Sequence, residues 1–113
     1  MTRTVTARLD DILDAIAGIR ETLHGQDFET FAKTWHLQKA TERGLEIISE
    51  ASRAIPANMK GGAVNIPWTE IAGIGNVLRH DYQRVEPLII WNIVDAHLGP
   101  LEQAIKTMRD GLV

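Results

Sequence analysis

Apolar residues recur at spacings of three and four over nearly the whole chain, and nowhere does a period of two persist for a strand's length. That pattern restricts the chain to helices packed on helices. Four prolines punctuate it, at positions 56, 67, 87 and 100. Leu9, Ile12, Leu13, Ile16, Ile19 and Leu23 mark a first amphipathic helix, with Asp10, Asp11 and Asp14 on its outer face and His24-Gly25 at its close. Asp27 to Phe31 reads as a short turn whose two Phe plug one end of the core. A second helix starts at Thr34 as N-cap and buries Leu37, Ala40, Gly44, Leu45, Ile48, Ala51 and Ile55 before Pro56 stops it. Residues 57–66, with Gly61-Gly62 at their centre, are the only long loop.

Pro67 opens a third helix at a position where a missing amide costs nothing. Its core face carries Ile71, Ile74 and Leu78; the opposite face collects Thr69, Ala72, Gly73, Asn76, Arg79, His80 and Gln83, its small residues suited to close approach by another backbone. Glu86-Pro87 starts a fourth helix that buries Leu88, Ile89, Trp91 or Asn92, Val94, Leu98, Leu101, Ile105 and Met108, with a kink or a break at Pro100. The expected fold is therefore all-α, an antiparallel bundle of four main helices. At 113 residues the chain has room for one core, so residues 1–113 form a single domain.

Composition excludes several functions. There is no cysteine, hence no disulfide framework and no thiolate metal site or nucleophile, and this fits a reducing cytoplasm. No secretory h-region opens the chain, and no apolar run approaches the roughly 20 residues that cross a bilayer. His24, His36 and His97 have no partner at ligand spacing, so neither a metal nor another cofactor is expected. Ser49 and Ser52 lack an adjacent base. Arg43, Glu46 and Glu50 share a face of the second helix and read as an internal salt bridge. A net charge of −3 confines any nucleic-acid contact to a local patch, and Lys60, Arg79 and Arg84 are few for a pure binding protein.

The chemistry concentrates in residues 73–85. Asn76 and His80 are one helical turn apart, with Arg79 about 100° round from His80. An imidazole, a guanidinium and an amide on one surface suit phosphodiester chemistry: the first moves protons near neutral pH, the second forks onto a phosphate. With RNA as substrate the 2′-hydroxyl can be the nucleophile, so no metal is needed. One His is thin for acid and base roles together, and a symmetric dimer would bring two. The bland alternative is an Arg-His pair compensating a helix C-terminus.

Thr34 to Ala51 (TWHLQKATERGLEIISEA), Ile66-Pro67-Trp68, and Ile71 to Tyr82 ending in His80-Asp81-Tyr82 resemble the HepT-like branch of the HEPN domains. The resemblance spans about Leu9 to Met108. It implies a homodimeric, cytoplasmic, metal-independent ribonuclease acting on RNA, tRNA included, as the toxin beside a minimal nucleotidyltransferase antitoxin. It assigns His80 to the motif His, Asn76 to the polar residue after the motif Arg, and Tyr82 to the tyrosine that the antitoxin silences by adding AMP. Arg79 would then stabilise the phosphate, with Arg84 as a further substrate contact. The chain departs from the pattern at Gly75, where the motif Arg belongs; at Ser49, where Gly is usual; and at Glu86, where Asp is commoner as N-cap. The last two are expected to matter little, and Gly75→Arg to raise activity. The alternative implied by Gly75 is a catalytically degenerate module that dimerises and binds a nucleotidyltransferase.

Overall fold

The computed structural model describes residues 3–80 and 86–112. Six helices follow one another: α1 (Val5–Leu23), α2 (Phe28–Lys33), α3 (Trp35–Arg53), α4 (Ala57–Lys60), α5 (Trp68–His80) and α6 (Pro87–Gly111). α1, α3, α5 and α6 are the four expected long helices. The two short ones lie where a turn and a loop were expected.

Cross-helix contacts fix the directions. Arg20 meets Glu102 at 2.6 Å while Arg109 meets Asp10 at 2.8 Å, so α1 and α6 run antiparallel. Ser49 touches Gly75 while Arg53 reaches Ala72, so α3 and α5 do the same. α3 lies between α1 and α5 and packs on both. The core draws on Leu9, Ile12, Ile16 and Ile19 of α1, Leu45 and Ile48 of α3, Ile71 and Leu78 of α5, and Leu98, Leu101 and Ile105 of α6. Phe31, fully buried, and Phe28 close one end against Trp91, with ring centroids 5.3 and 5.9 Å away.

Local chemistry explains the helix ends. Thr4 caps α1 by accepting from the Ala7 amide at 3.0 Å, and Gly25 leaves the helix at φ 74, a conformation open to glycine. Asp27 caps α2, accepting from the Thr30 amide at 2.8 Å, and those hydrogen bonds hold its carboxyl below the usual range. Thr34 does occupy the N-cap position of α3, but its hydroxyl donates back to the Thr30 carbonyl at 2.6 Å and caps nothing.

Two expectations about burial change, and at Pro100 the break is excluded. Ala40 is exposed. Leu88 and Ile89 are 49% and 50% exposed, because the buried row of α6 runs through Ile90, Leu98, Leu101 and Ile105, and its phase turns the preceding two residues outward. α6 also runs unbroken through Pro100. Gly99 removes the Cβ clash that normally bars an α conformation before proline, and the turn around Ala96 and Pro100 is exposed, so water can reach the carbonyl that proline leaves unbonded. Arg43 pairs with Glu46 at 3.4 Å, as read from the sequence.

α1 and α3 approach closely at Gly44, where an added Cβ would stand 2.6 Å from Ile19 Cγ1 and 2.8 Å from its Cδ1. Ile19 is buried and has little room to retreat. Gly44→Val should therefore lower stability by about 1–3 kcal/mol. Gly18→Ala, in the exposed middle of α1 with nothing near its Cβ, should raise it by up to about 1 kcal/mol. Urea denaturation midpoints moving in opposite directions check both.

Among the described residues, no helix is long and apolar enough to cross a membrane.

Candidate active site

α5 owes its position to Ile71 and Leu78, both buried, with Ile74 packed beside them. Helical geometry then puts Asn76 and His80 on the side away from this core. Asn76, Arg79 and His80 are all exposed, on the last two turns of α5. Asn76 and His80 are neighbours one turn apart, and Arg79 and His80 sit in the final turn. Tyr82 and Arg84 lie outside the described residues.

The middle of α5 is bound to α3 through a buried serine. Ser49, 1% exposed, donates from its Oγ to the Ala72 carbonyl at 2.8 Å and accepts from the Gly75 amide at 3.0 Å. Ser52 donates to the Ser49 carbonyl at 2.7 Å. Arg53 adds two bonds to the same Ala72 carbonyl, from Nε at 3.0 Å and Nη2 at 2.7 Å. Both serine hydroxyls are thus committed to backbone groups.

Gly75 is buried at this junction rather than facing solvent. A Cβ there would stand 2.9 Å from Ser49 Oγ, 3.1 Å from Ser49 Cβ and 3.8 Å from Arg79 Nη1. Two consequences follow. Ser49 fills the space into which a side chain at position 75 would start. And the Arg79 guanidinium folds back over Gly75, bringing a cation to the turn where the resemblance leads one to expect an Arg. Within this chain a close approach occurs at Gly75, whereas a Cβ at Gly73 would meet nothing within 4 Å.

Charge is distributed unevenly. Of twelve Lys and Arg residues, Arg3, Arg20, Lys33, Lys39, Arg43, Lys106 and Arg109 lie within 4 Å of a carboxylate. Among the described residues, Arg8, Arg53, Lys60 and Arg79 do not. Among the same residues, no group of three or more His, Asp or Glu is placed to hold a metal ion. Between α5 and α6, a cavity of about 410 Å³ is lined by Glu70, Gly73, Ile74, Val77, Leu78, Ile89, Ile90 and Ile93.

A family model described as Ribonuclease HepT-like matches residues 12–108. This chain belongs to the HepT-like family. Three curated relatives of this HepT-like chain are similar to it over nearly their full lengths. A Methanocaldococcus jannaschii protein named "Putative RNase" is 32% identical over 104 residues, 92% of this chain and 95% of its own. A Caldanaerobacter subterraneus protein of the same name is 35% identical over 104 residues, 92% and 93% of the two chains. The "Probable ribonuclease HepT" of Thermococcus cleftensis is 35% identical over 109 residues, 96% and 99%. No solved structure matches the chain significantly.

Sequence reasoning picked out Asn76, Arg79 and His80 on the exposed end of α5, but it missed Arg53 and undervalued Ser49. The signal available for Ser49 was its pairing with Gly75. The resemblance sets both positions apart, and the two prove to be in contact.

Proposed function

We propose that this HepT-like protein is a metal-independent endoribonuclease. The observation that supports it best is the exposed Asn76-Arg79-His80 face on α5, with the Arg79 guanidinium folded over Gly75 where the family's motif Arg is absent. In this reading His80 exchanges protons with the 2′-hydroxyl or the leaving 5′-oxygen, and Arg79 stabilises charge on the phosphate. Asn76 positions the phosphate by hydrogen bonding. The 2′-oxygen attacks phosphorus, the bond to the 5′-oxygen breaks, and a 2′,3′-cyclic phosphate remains. Arg84 contributes a further backbone contact.

A second copy of the chain supplies the other His. Val77 and Ile89, both exposed, line the cavity between α5 and α6, and this apolar surface is one that a two-fold pairing would bury. The protein acts as a toxin, and a minimal nucleotidyltransferase silences it by adding AMP to Tyr82; these two statements rest on the family resemblance. Purified protein freed of any partner should cleave tRNA and other RNAs in EDTA and leave cyclic phosphate ends. Absence of cleavage across several RNAs would sink this reading.

The buried Gly75 favours one alternative, a dimer that binds a nucleotidyltransferase without cutting RNA. Intact-mass measurement after incubation with the partner and ATP separates the cases. Addition of AMP to wild type but not to Tyr82→Phe, together with no cleavage in EDTA, is the outcome expected of the alternative.

A further inference from the structure

Among the described residues, the cations with no carboxylate within 4 Å are not scattered. Three of the four described ones touch α5, at its start, its middle and its end. Lys60 Nζ lies 5.7 Å from the centroid of the Trp68 ring. Arg53 reaches from α3 to the Ala72 carbonyl and keeps three of its five N–H groups uncommitted. Arg79 folds over Gly75. Trp68, Ala72, Gly75 and Arg79 follow a spacing of four, three and four, so they fall within about 60° of one another round the helix. The three charges therefore stand along one edge of α5, bordering the face that carries Asn76 and His80.

We propose that this edge is the track of the RNA strand: Lys60 and Arg53 hold the phosphates that lead away from the bond cut at His80. The inference rests on the ribonuclease reading above and deepens it by giving the strand a direction. A single row of cations one helix wide suits one backbone. Trp68 and Arg79 are eleven residues apart, about 16 Å along the axis. At about 3.4 Å per stacked nucleotide, that is roughly five nucleotides on one side of the cleaved bond. The fourth of these described cations, Arg8, lies on α1, where its surroundings include Asp11 and Glu50, and is not part of the row.

The test uses the full chain and a single-stranded 2′-O-methyl oligoribonucleotide, which binds but lacks the attacking hydroxyl. Each phosphate contact adds about 0.7 to the slope of log affinity against log salt. Arg53→Gln and Lys60→Gln should each lower the slope by about 0.7, and the double variant by about twice that. Arg53→Lys keeps the charge and should keep the slope even if the clamp on Ala72 is weakened, which separates charge from packing. Lys33→Gln, paired with Glu29 on α2, should change nothing. In a length series, affinity should rise until roughly five nucleotides extend from one side of the cut and then level off. Unchanged slopes in Arg53→Gln and Lys60→Gln, with wild type still cleaving RNA, overturn the track alone. A wild type that neither binds nor cleaves RNA overturns the ribonuclease reading with it.

Discussion

His80→Ala is expected to reduce RNA cleavage in EDTA by about a hundred- to ten-thousandfold, the usual contribution of a positioned acid or base. The side chain is exposed at the last turn of α5, so its loss removes chemistry without opening a cavity. Thermal midpoints of variant and wild type should therefore agree closely. His36→Ala, on the exposed first turn of α3, serves as the control and should cleave at the wild-type rate. If the protein is a dimer with one His from each copy, mixing wild type with excess His80→Ala chains should lower the activity below that of the same amount of wild type alone, because hybrid dimers hold a single His80. A His80→Ala protein cleaving within about threefold of wild type would remove His80 from the mechanism.

Gly75→Arg is expected to lower stability by about 1–3 kcal/mol and not to raise activity, because its Cβ would collide with Ser49. The collision cannot be relieved cheaply: Ser49 is buried and its hydroxyl bridges Ala72 and Gly75. Ser49→Gly alone should also destabilise, by about 1 kcal/mol, since it removes that bridge and places glycine inside a helix. The informative protein is the double variant. With both exchanges made, the arginine introduced at position 75 gains the space that the serine vacated, and the loss should be smaller than the sum of the single losses by more than about 1 kcal/mol. Cleavage should exceed wild type in the double variant only. Urea melts analysed as a double-mutant cycle read the coupling, and additivity within about 0.5 kcal/mol would show that the two positions are not exchanging volume.

The long helices were legible because burial on one face imposes a repeat that survives in one dimension. Leu9 to Ile19 and Leu37 to Ile55 carry it without interruption, and Gly25 and Pro56 mark their ends by backbone chemistry alone. Leu88 and Ile89 misled because apolarity at a helix start says nothing of phase; only the later row through Leu98 and Ile105 fixes which side is inward. Asp27 and its short helix were hidden by length, six residues being less than two turns. At the site, Asn76, Arg79 and His80 could be placed together since all three lie on one helix. Arg53 and Ser49 could not, because their partner at Ala72 is some twenty residues away in the chain and the contact runs from side chain to backbone. A carbonyl offers the same acceptor whatever residue bears it, so no letter in the sequence records that bond.

The Ser49–Gly75 contact also orders the routes by which such a site can change. In a chain with glycine at position 49 and arginine at position 75, a first step to serine at 49 would force the new hydroxyl against the old side chain. A first step to glycine at 75 instead leaves a gap that serine can later fill. The reverse journey has the same constraint, and position 49 must shrink before position 75 can grow. Two of the four combinations are well packed, one is loose and one is blocked, so exchange between the packed forms passes through the loose one. In that intermediate the serine bridge is gone, and α5 keeps only the Arg53 bonds among those that tie Ala72 and Gly75 to α3.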